Sequence, residues 1–204
     1  MVLDVGASIG VVALLAARIG CRVLALEPER ANFERLRANV ALNGLPVETL
    51  RVAVTDHRGT ETLRVLPPHR RGHHTLAPAA DAVATQTVPC TTLDDLLERH
   101  GLERVDLLKV DVEGAEPEVF AGAAGALERG ACRRIVFEVA RGPLERMGHG
   151  AEEVLRPLRS AGYSIRTFAG EEVAGAPAAA FANLVALAPA ARELTPGQAP
   201  SGRA

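Results

Sequence analysis

The chain has 204 residues, of which 48% are hydrophobic and 24% are charged, and its net charge at neutral pH is −2. This length fits one domain with a sizeable core, and the near-zero charge gives no support to a nucleic-acid surface or a polybasic membrane patch. No apolar run approaches the ~20 residues that a membrane span needs, and the first residues lack the order of a signal peptide. Three scattered cysteines, Cys21, Cys90 and Cys132, are typical of free thiols, so we expect a cytoplasmic protein.

Short aliphatic runs alternate with helical stretches along most of the chain. In the first half of the chain, the pattern predicts a strand at 1–6, a helix at 10–19, a strand at 22–27, a helix at 29–44, a strand at 47–54 and an extra strand at 60–66. A loop is predicted at 67–86. In the second half, the pattern predicts a helix at 92–101, a strand at 104–112, a helix at 117–127, a strand at 133–140, a helix at 152–160 and an antiparallel pair of strands at 163–168 and 182–189. This alternation indicates a doubly wound, mostly parallel α/β sheet. We expect one domain over 1–188 and a disordered tail over 189–204.

Ligands of such sheets lie beyond the carboxyl ends of the strands, and the first strand ends in an unusual loop. The loop reads Asp4-x-Gly6-x-x-x-Gly10, whereas a nicotinamide-binding loop reads G-x-G-x-x-G. An aspartate at the first glycine position repels a pyrophosphate but suits a ligand with a cationic amino group. Glu27 ends the next strand, where an acid can accept both ribose hydroxyls. The combination favours S-adenosylmethionine; the alternative is that Asp4 and Glu27 only cap helices.

Several ordered motifs resemble one enzyme family. The segments "LDVGASIG", "ALEPERANFERLRANVALNG", "TTLDDLL" and "VDLLKVDVEGAEPEVFAGA" are similar to the FkbM-like S-adenosylmethionine-dependent methyltransferases. The resemblance implies a class I methyltransferase sheet of seven strands in the order 3-2-1-4-5-7-6, with the seventh strand antiparallel. It also implies three sets of cofactor contacts: to the methionine part from Asp4, Gly6, Ala7, Ser8 and Gly10; to the ribose from Glu27; and to the adenine from Pro28 and the backbone near Ala53, Val54 and Asp56. Ser8 departs from the asparagine that is more frequent in the family.

The segment "KVDVEGAEPE" follows the fourth strand of the predicted sheet and contains the single lysine of the chain. In this fold its carboxylates lie beside the reactive methyl group, where an alcohol acceptor needs a base or an orienting group. Asp111 is the first candidate, with Lys109 and Glu113 beside it. Lys109 and Asp111 form either a tuned acid/base couple or a plain ion pair, with Glu116 capping the helix that Pro117 opens. A magnesium ion between Asp111, Glu113 and Glu138 is a weaker alternative, and we predict no metal site.

The loop "PPHRRGHHTL" contains His73 and His74, either of which can supply a base near neutral pH. We predict that the loop covers the acceptor, and we include His74 among the catalytic candidates. The alternative is that both histidines are simply solvated.

The predicted function is methylation of a hydroxyl on a sugar or secondary metabolite, as the family resemblance implies, and carboxylate and amine acceptors stay open. A nucleic-acid acceptor is disfavoured, because the end of the fourth strand lacks an Asn/Asp-Pro-Pro-aromatic motif and the chain has no tryptophan and one tyrosine. Two alternatives remain: a non-catalytic module that binds S-adenosylmethionine, and a nicotinamide-dependent oxidoreductase, against which Asp4 argues.

The first predicted strand already contains Val2, although class I methyltransferases usually have one or two helices before this strand. We therefore expect a truncated, mis-started or excised chain in which the apolar segment "VVALLAARI" is less shielded. The expected consequences are weak cofactor affinity, self-association into a homo-oligomer, or both.

Overall fold

The computed structural model describes residues 1–67, 69 and 73–189, so most of the tail predicted at 189–204 lies outside the described residues. The strands of the described part are β1 (Val2–Val5), β2 (Val23–Leu26), β3 (Val47–Leu50), β4 (Ala53–Val54), β5 (Gly59–Val65), β6 (Ala84–Thr91), β7 (Leu107–Val110), β8 (Arg134–Ala140), β9 (Ser164–Thr167) and β10 (Phe181–Leu187). The helices are α1 (Val11–Arg18), α2 (Arg30–Asn43), α3 (Leu93–Arg99), α4 (Glu116–Ala121), α5 (Ala124–Glu128), α6 (Arg141–Met147) and α7 (Ala151–Ser160).

Seven strands form one mixed sheet in the order β3-β2-β1-β7-β8-β10-β9. The first five strands of that order are parallel, and β10 runs antiparallel to both β8 and β9. The strand labels in this order differ from the predicted 3-2-1-4-5-7-6, because β4, β5 and β6 lie between β3 and β7 along the chain and belong to another sheet. When only the seven strands of the large sheet are numbered along the chain, their order is 3-2-1-4-5-7-6.

The additional strands form a second sheet in the order β4-β6-β5. The single strand predicted at 47–54 is therefore wrong: its first half pairs with β2, whereas Ala53 and Val54 pair with β6. The loop predicted at 67–86 also extends too far, since β6 begins at Ala84 and pairs antiparallel with β5. This second sheet positions Val54 and Leu63 at the cavity described below.

The core lies on both faces of the large sheet because side chains of a strand alternate between faces. Leu3 packs with Phe120 and Phe137 in the larger cluster, where the two rings meet edge to face at 5.6 Å. Val2 packs with Ala13 and Leu36 in a smaller cluster under α1 and α2. The sheet is thus fixed between two helical layers, which holds the carboxyl ends of its central strands in place.

The outer face of α1 is apolar and exposed. More than half of the surface of Val11, Leu15 and Ile19 is accessible to solvent. Part of the segment "VVALLAARI" is thus accessible to solvent, while truncation of the chain and its self-association stay predictions.

Among the described residues, no helix has both the length and the hydropathy of a membrane span.

Helix α3 is capped by Thr92, whose hydroxyl accepts a hydrogen bond from the backbone N–H of Asp95 at 3.1 Å. Replacing Thr92 by alanine leaves that N–H without its acceptor, so we expect the free energy of unfolding to fall by about 1 kcal/mol. Urea unfolding measures the change, with exposed Thr85 replaced by alanine as the control. Equal losses in the two variants would contradict a capping role.

Candidate active site

A cavity of about 280 Å³ lies beyond the carboxyl ends of β1, β2 and β7. This volume is close to the lower end of the ~300–1,000 Å³ range of small-molecule sites. Nine of the predicted site residues line it: Gly6, Ser8, Glu27, Pro28, Ala53, Val54, His74, Asp111 and Glu113. Six others do not: Asp4, Ala7, Gly10, Asp56, His73 and Lys109.

The loop after β1 brings bare backbone to the cavity. Gly6 has φ +76°, and a Cβ there would lie 1.9 Å from the backbone oxygen of Asp111, so the ends of β1 and β7 touch only because residue 6 is glycine. Ser8 adopts φ +49°, which is rare for a non-glycine residue and is often found at functional sites. Gly10, at the end of the loop, lies against Leu36 of α2, and a Cβ on residue 10 would lie 2.5 Å from Leu36 Cδ1.

Glu27 is buried at the end of β2, and both of its carboxylate oxygens are oriented by backbone N–H groups. Ser8 N–H donates to Oε2 at 2.8 Å and Glu29 N–H donates to Oε1 at 2.9 Å. Burial raises the pKa of Glu27 to about 7, although these two hydrogen bonds favour the ionised form. Each oxygen keeps a second lone pair, so a carboxylate fixed in this way can accept a pair of vicinal hydroxyls.

Asp4 is buried on the α1 side of β1 and does not reach the cavity. Its cationic partner is Lys109, whose Nζ lies 3.3 Å from Asp4 Oδ1, and neither Asp4 oxygen accepts a well-oriented hydrogen bond from a described residue. Burial raises the pKa of Asp4, and the lysine opposes this shift. The direct contact between Asp4 and a ligand ammonium stays a prediction, since Lys109 already faces the carboxylate.

Lys109 joins the two loops of the site. Its Nζ donates to the backbone oxygen of Gly6 at 2.7 Å and lies 3.4 Å from Asp111 Oδ2. Lys109 and Asp111 form an ion pair within a larger cluster that includes Asp4, and a tuned acid/base couple stays a prediction. The side chain of Asp111 is 41% exposed and lines the cavity, so it is accessible to a ligand.

The turn after β7 is held by Glu116, a role that the sequence analysis missed. The carboxylate of Glu116 accepts from Val112 N–H at 3.0 Å and from Gly114 N–H at 3.1 Å, both before the helix, and burial raises its pKa to about 8. Glu113 stands between them with φ +58° and lines the cavity. The sequence signal for Glu116 is its position beside Pro117, and this position predicts a helix-capping role rather than a contact to the preceding turn.

The two histidines of the loop before β6 have different surroundings. His73 Nδ1 lies 2.6 Å from Glu113 Oε1, and its side chain is 56% exposed. His74 is buried: its Nδ1 accepts from Leu66 N–H at 3.0 Å, and its Nε2 lies 3.9 Å from Glu29 Oε2. Glu29 in turn caps α2 and accepts from Gln86 at 2.6 Å. Burial alone raises the pKa of Glu29, but the hydrogen bonds that it accepts lower the pKa below its ordinary value.

The remaining candidates lie at the edges of the site. The Asp56 side chain is half exposed and pairs with His57 at 2.8 Å; Asp56 does not line the cavity, whereas Ala53 and Val54 of the same segment do. Glu138 is half-buried in β8, where burial and the charges of Asp111 and Glu113 raise its pKa to about 7. In the part of the chain that the structure describes, no three His, Cys, Asp or Glu side chains are grouped to hold a metal ion.

The cavity has the polarity that S-adenosylmethionine requires. Its lining includes the apolar side chains of Val54, Leu63 and Leu76, the oriented Glu27 carboxylate and the backbone of the β1 loop. These groups are suited to an adenine, a ribose and an amino-acid arm, and the assignment of each contact stays a prediction. Leu63 and Leu76 were missed by the sequence analysis, because nothing in their local pattern indicates that a second sheet brings them here.

Comparison with known proteins gives the same assignment. The sequence profile of the FkbM methyltransferase domain matches residues 4–165. Methyltransferase sdnD of Sordaria araneosa is 31% identical over 153 residues, which are 59% of this chain and 59% of that protein. The hexuronic acid methyltransferase AglP of Haloferax volcanii is 30% identical over 125 residues, 61% of this chain and 50% of that protein. The 31-O-demethyl-FK506 methyltransferase FkbM of Streptomyces tacrolimicus is 27% identical over 208 residues, 85% of this chain and 78% of that protein.

Solved structures show the same fold. The magnesium protoporphyrin IX methyltransferase ChlM of Synechocystis PCC 6803, crystallised with bound S-adenosylmethionine, has a TM-score of 0.52 at 14% identity, covering 93% of this chain and 70% of that one. The kinase-methyltransferase WbdD has a TM-score of 0.53 at 13% identity, covering 92% of this chain and 34% of that one. The fold is therefore that of the class I methyltransferases. With the profile matching residues 4–165, the chain belongs to the FkbM family of S-adenosylmethionine-dependent methyltransferases.

Proposed function

We propose that this chain transfers the methyl group of S-adenosylmethionine to a hydroxyl of a small molecule, a sugar or a secondary metabolite. The observation that carries the proposal is the placement of Glu27 and Asp111 in one cavity, with the β1 loop between them. Glu27, the acid that would bind the ribose, is thereby separated from the solvent-accessible carboxylate of Asp111 by the β1 loop, whose backbone would receive the amino-acid arm. The matched spans are 59% of sdnD and 50% of AglP, so the substrates of these relatives only suggest an acceptor class for this chain.

The residues of the chain have separable tasks in this reaction. Glu27 holds the ribose hydroxyls, and the backbone at Gly6 and Ser8 receives the amino-acid arm. The bound cofactor supplies a sulfonium methyl group, which is already activated, so the protein must chiefly align the acceptor oxygen at ~3 Å. Asp111 is placed to orient the acceptor hydroxyl, because its carboxylate is exposed to the cavity and is fixed by Lys109.

Oxygen acceptors agree with the names of two relatives. One is a 31-O-demethyl-FK506 methyltransferase and another is a hexuronic acid methyltransferase. The first name specifies an oxygen acceptor, and a hexuronic acid has both hydroxyl and carboxylate oxygens. Acidic side chains at the acceptor end, Asp111, Glu113 and Glu138, are suited to accepting hydrogen bonds from several hydroxyls.

The proposal is tested by incubating the protein with S-adenosylmethionine and a panel of hydroxyl acceptors, including hexuronic acid glycosides and macrolide secondary alcohols. We expect formation of S-adenosylhomocysteine together with a methyl ether of one panel class, identified by mass spectrometry. The Asp111→Asn variant should lower kcat at least tenfold while the Kd for S-adenosylhomocysteine stays within threefold. The exposed Glu34→Gln variant on α2 serves as the control. Tight S-adenosylhomocysteine binding without transfer to any acceptor would favour a non-catalytic binding module.

A further inference from the structure

We propose that His73 is the general base for the acceptor hydroxyl and that Glu113 is its positioning residue. This inference rests on the proposed function. His73 Nδ1 lies 2.6 Å from Glu113 Oε1, a short distance typical of a charge-assisted hydrogen bond. The Glu113 side chain lines the cavity and is 11% exposed, whereas the His73 side chain is 56% exposed and is not among the lining residues. His73 is thus the solvent-exposed partner of a carboxylate at the cavity, and we infer that an acceptor entering from solvent meets the imidazole there.

Both partners of the pair are held by their own backbone segments. Glu113 adopts φ +58° in the turn that Glu116 braces, and its backbone oxygen accepts from Thr75 Oγ1 at 3.1 Å. Thr75 is two residues from His73, so the loop and the turn are joined at two points. These two contacts hold His73 beside the Glu113 carboxylate, and a general base must lie within hydrogen-bond reach of the proton that it removes.

His74, which the sequence analysis selected, is less suited to this task than its neighbour. Its Nδ1 accepts a hydrogen bond from Leu66 N–H, so in the neutral ring the proton is on Nε2, and that nitrogen faces Glu29. Both ring nitrogens are thus engaged with the protein. We assign His74 to positioning the loop and the wall of the cavity.

The hydrogen bond to Glu113 selects the tautomer of His73. A carboxylate accepts only, so Nδ1 has the proton and Nε2 presents its lone pair. As the acceptor oxygen forms its bond to the methyl carbon, the C–S bond breaks with its electron pair remaining on sulfur, and the hydroxyl proton moves to Nε2. The products are a methyl ether, S-adenosylhomocysteine and an imidazolium that stays paired with Glu113. The imidazolium then releases its proton to water.

The charges around the pair favour this step. Asp111 and Glu138 both interact electrostatically with Glu113 or His73, as does Arg146 with Glu113, and Lys109 pairs with Asp111. Burial raises the pKa of Glu113, and His73 opposes that shift. The Glu113 carboxylate, 2.6 Å from Nδ1, stabilises the positive charge that develops on the imidazole as the proton is transferred.

The tautomer is measured without turnover, by nitrogen-15 NMR of the wild-type protein bound to S-adenosylhomocysteine. The His73 signals are assigned by their loss in His73→Ala. We expect a protonated, pyrrole-type shift for Nδ1 and a pyridine-type shift for Nε2 when the ring is neutral, and loss of this preference in Glu113→Gln. A neutral ring protonated on Nε2 would overturn the proposal.

Turnover supplies the second test, with the methyl acceptor found in the panel above. His73→Ala should lower kcat about 100-fold with little change in the Kd for S-adenosylhomocysteine, and added imidazole should restore part of the rate. Glu113→Gln should lower kcat about tenfold with KM nearly unchanged. A kcat within threefold of wild type in His73→Ala, or no rescue by imidazole, would overturn the role of His73.

His149 provides a matched control, because its Nε2 lies 2.7 Å from Glu118 Oε1 and neither residue lines the cavity. His149→Ala should leave kcat and imidazole dependence unchanged, and thermal melts of both histidine variants check folding. The two proposals fail in different ways. If wild type transfers no methyl group to hydroxyls, the proposed function fails; if wild type is active and His73→Ala is equally active, only the assignment of the base fails.

Discussion

Replacing Gly6 by alanine is expected to lower the free energy of unfolding by about 2–5 kcal/mol and to abolish measurable binding of S-adenosylhomocysteine. The added Cβ would lie 1.9 Å from the backbone oxygen of Asp111, and neither backbone segment can move away, because β1 and β7 are paired along their length. The φ of +76° adds strain for any residue with a side chain. Urea unfolding and calorimetric titration measure the two effects.

A substitution at Gly20 distinguishes backbone strain from steric overlap as the cause of the lower free energy of unfolding. It has a similar φ of +87°, but a Cβ there meets nothing within 4 Å. Gly20→Ala should therefore cost only about 1–2 kcal/mol from backbone strain and leave cofactor affinity unchanged. If Gly6→Ala were no more destabilising than Gly20→Ala, the close approach of β1 to β7 would not be the constraint that we describe.

Replacing Glu27 by alanine is expected to weaken binding of S-adenosylhomocysteine by one to two orders of magnitude, equivalent to about 1–3 kcal/mol. The substitution removes the acceptor of both ribose hydroxyls and releases the N–H groups of Ser8 and Glu29 that now fix the pocket. Calorimetric titration of Glu27→Ala and Glu27→Gln measures the loss. The matched control is Glu116→Gln, because Glu116 is also a buried carboxylate that accepts two backbone N–H groups but does not line the cavity. Equal losses in the two glutamine variants would contradict a ribose contact.

The same residue predicts a pH dependence of cofactor affinity. The pKa of Glu27 is raised to about 7 and the ionised form is the better hydroxyl acceptor, so affinity should fall about tenfold between pH 8 and pH 6. Glu27→Gln should flatten this dependence.

For the free energy of unfolding of the ligand-free protein, the effect of pH on the contribution of Glu27 has the opposite sign. Between about pH 4.5 and 7 the folded state keeps a proton that the unfolded state releases, so the contribution of Glu27 to stability falls as the pH rises.

The sequence predicted the central parallel strands and the two acids Glu27 and Asp111 at the cavity, because each of these signals is local. Aliphatic runs of four to eight residues mark buried strands, and an acid at the end of such a run must lie at the carboxyl edge of the sheet. The cap at Thr92 is local in the same sense, since its hydroxyl bonds an N–H three residues ahead.

Long-range pairing decided what the sequence pattern did not show. The division of the segment 47–54 between two sheets depends on β6, which begins 30 residues after Val54 at Ala84. Lys109 as the partner of Asp4, and His73 rather than His74 as the partner of Glu113, likewise depend on side chains that approach from distant segments. Hydrophobic periodicity and the position of an acid at a strand end depend only on residues that are close together in the sequence. The sequence by itself therefore determined the α/β class and the edge of the sheet where the site lies. Which side chains meet there was decided by tertiary structure, because a contact between distant segments depends on how the whole sheet and its loops pack.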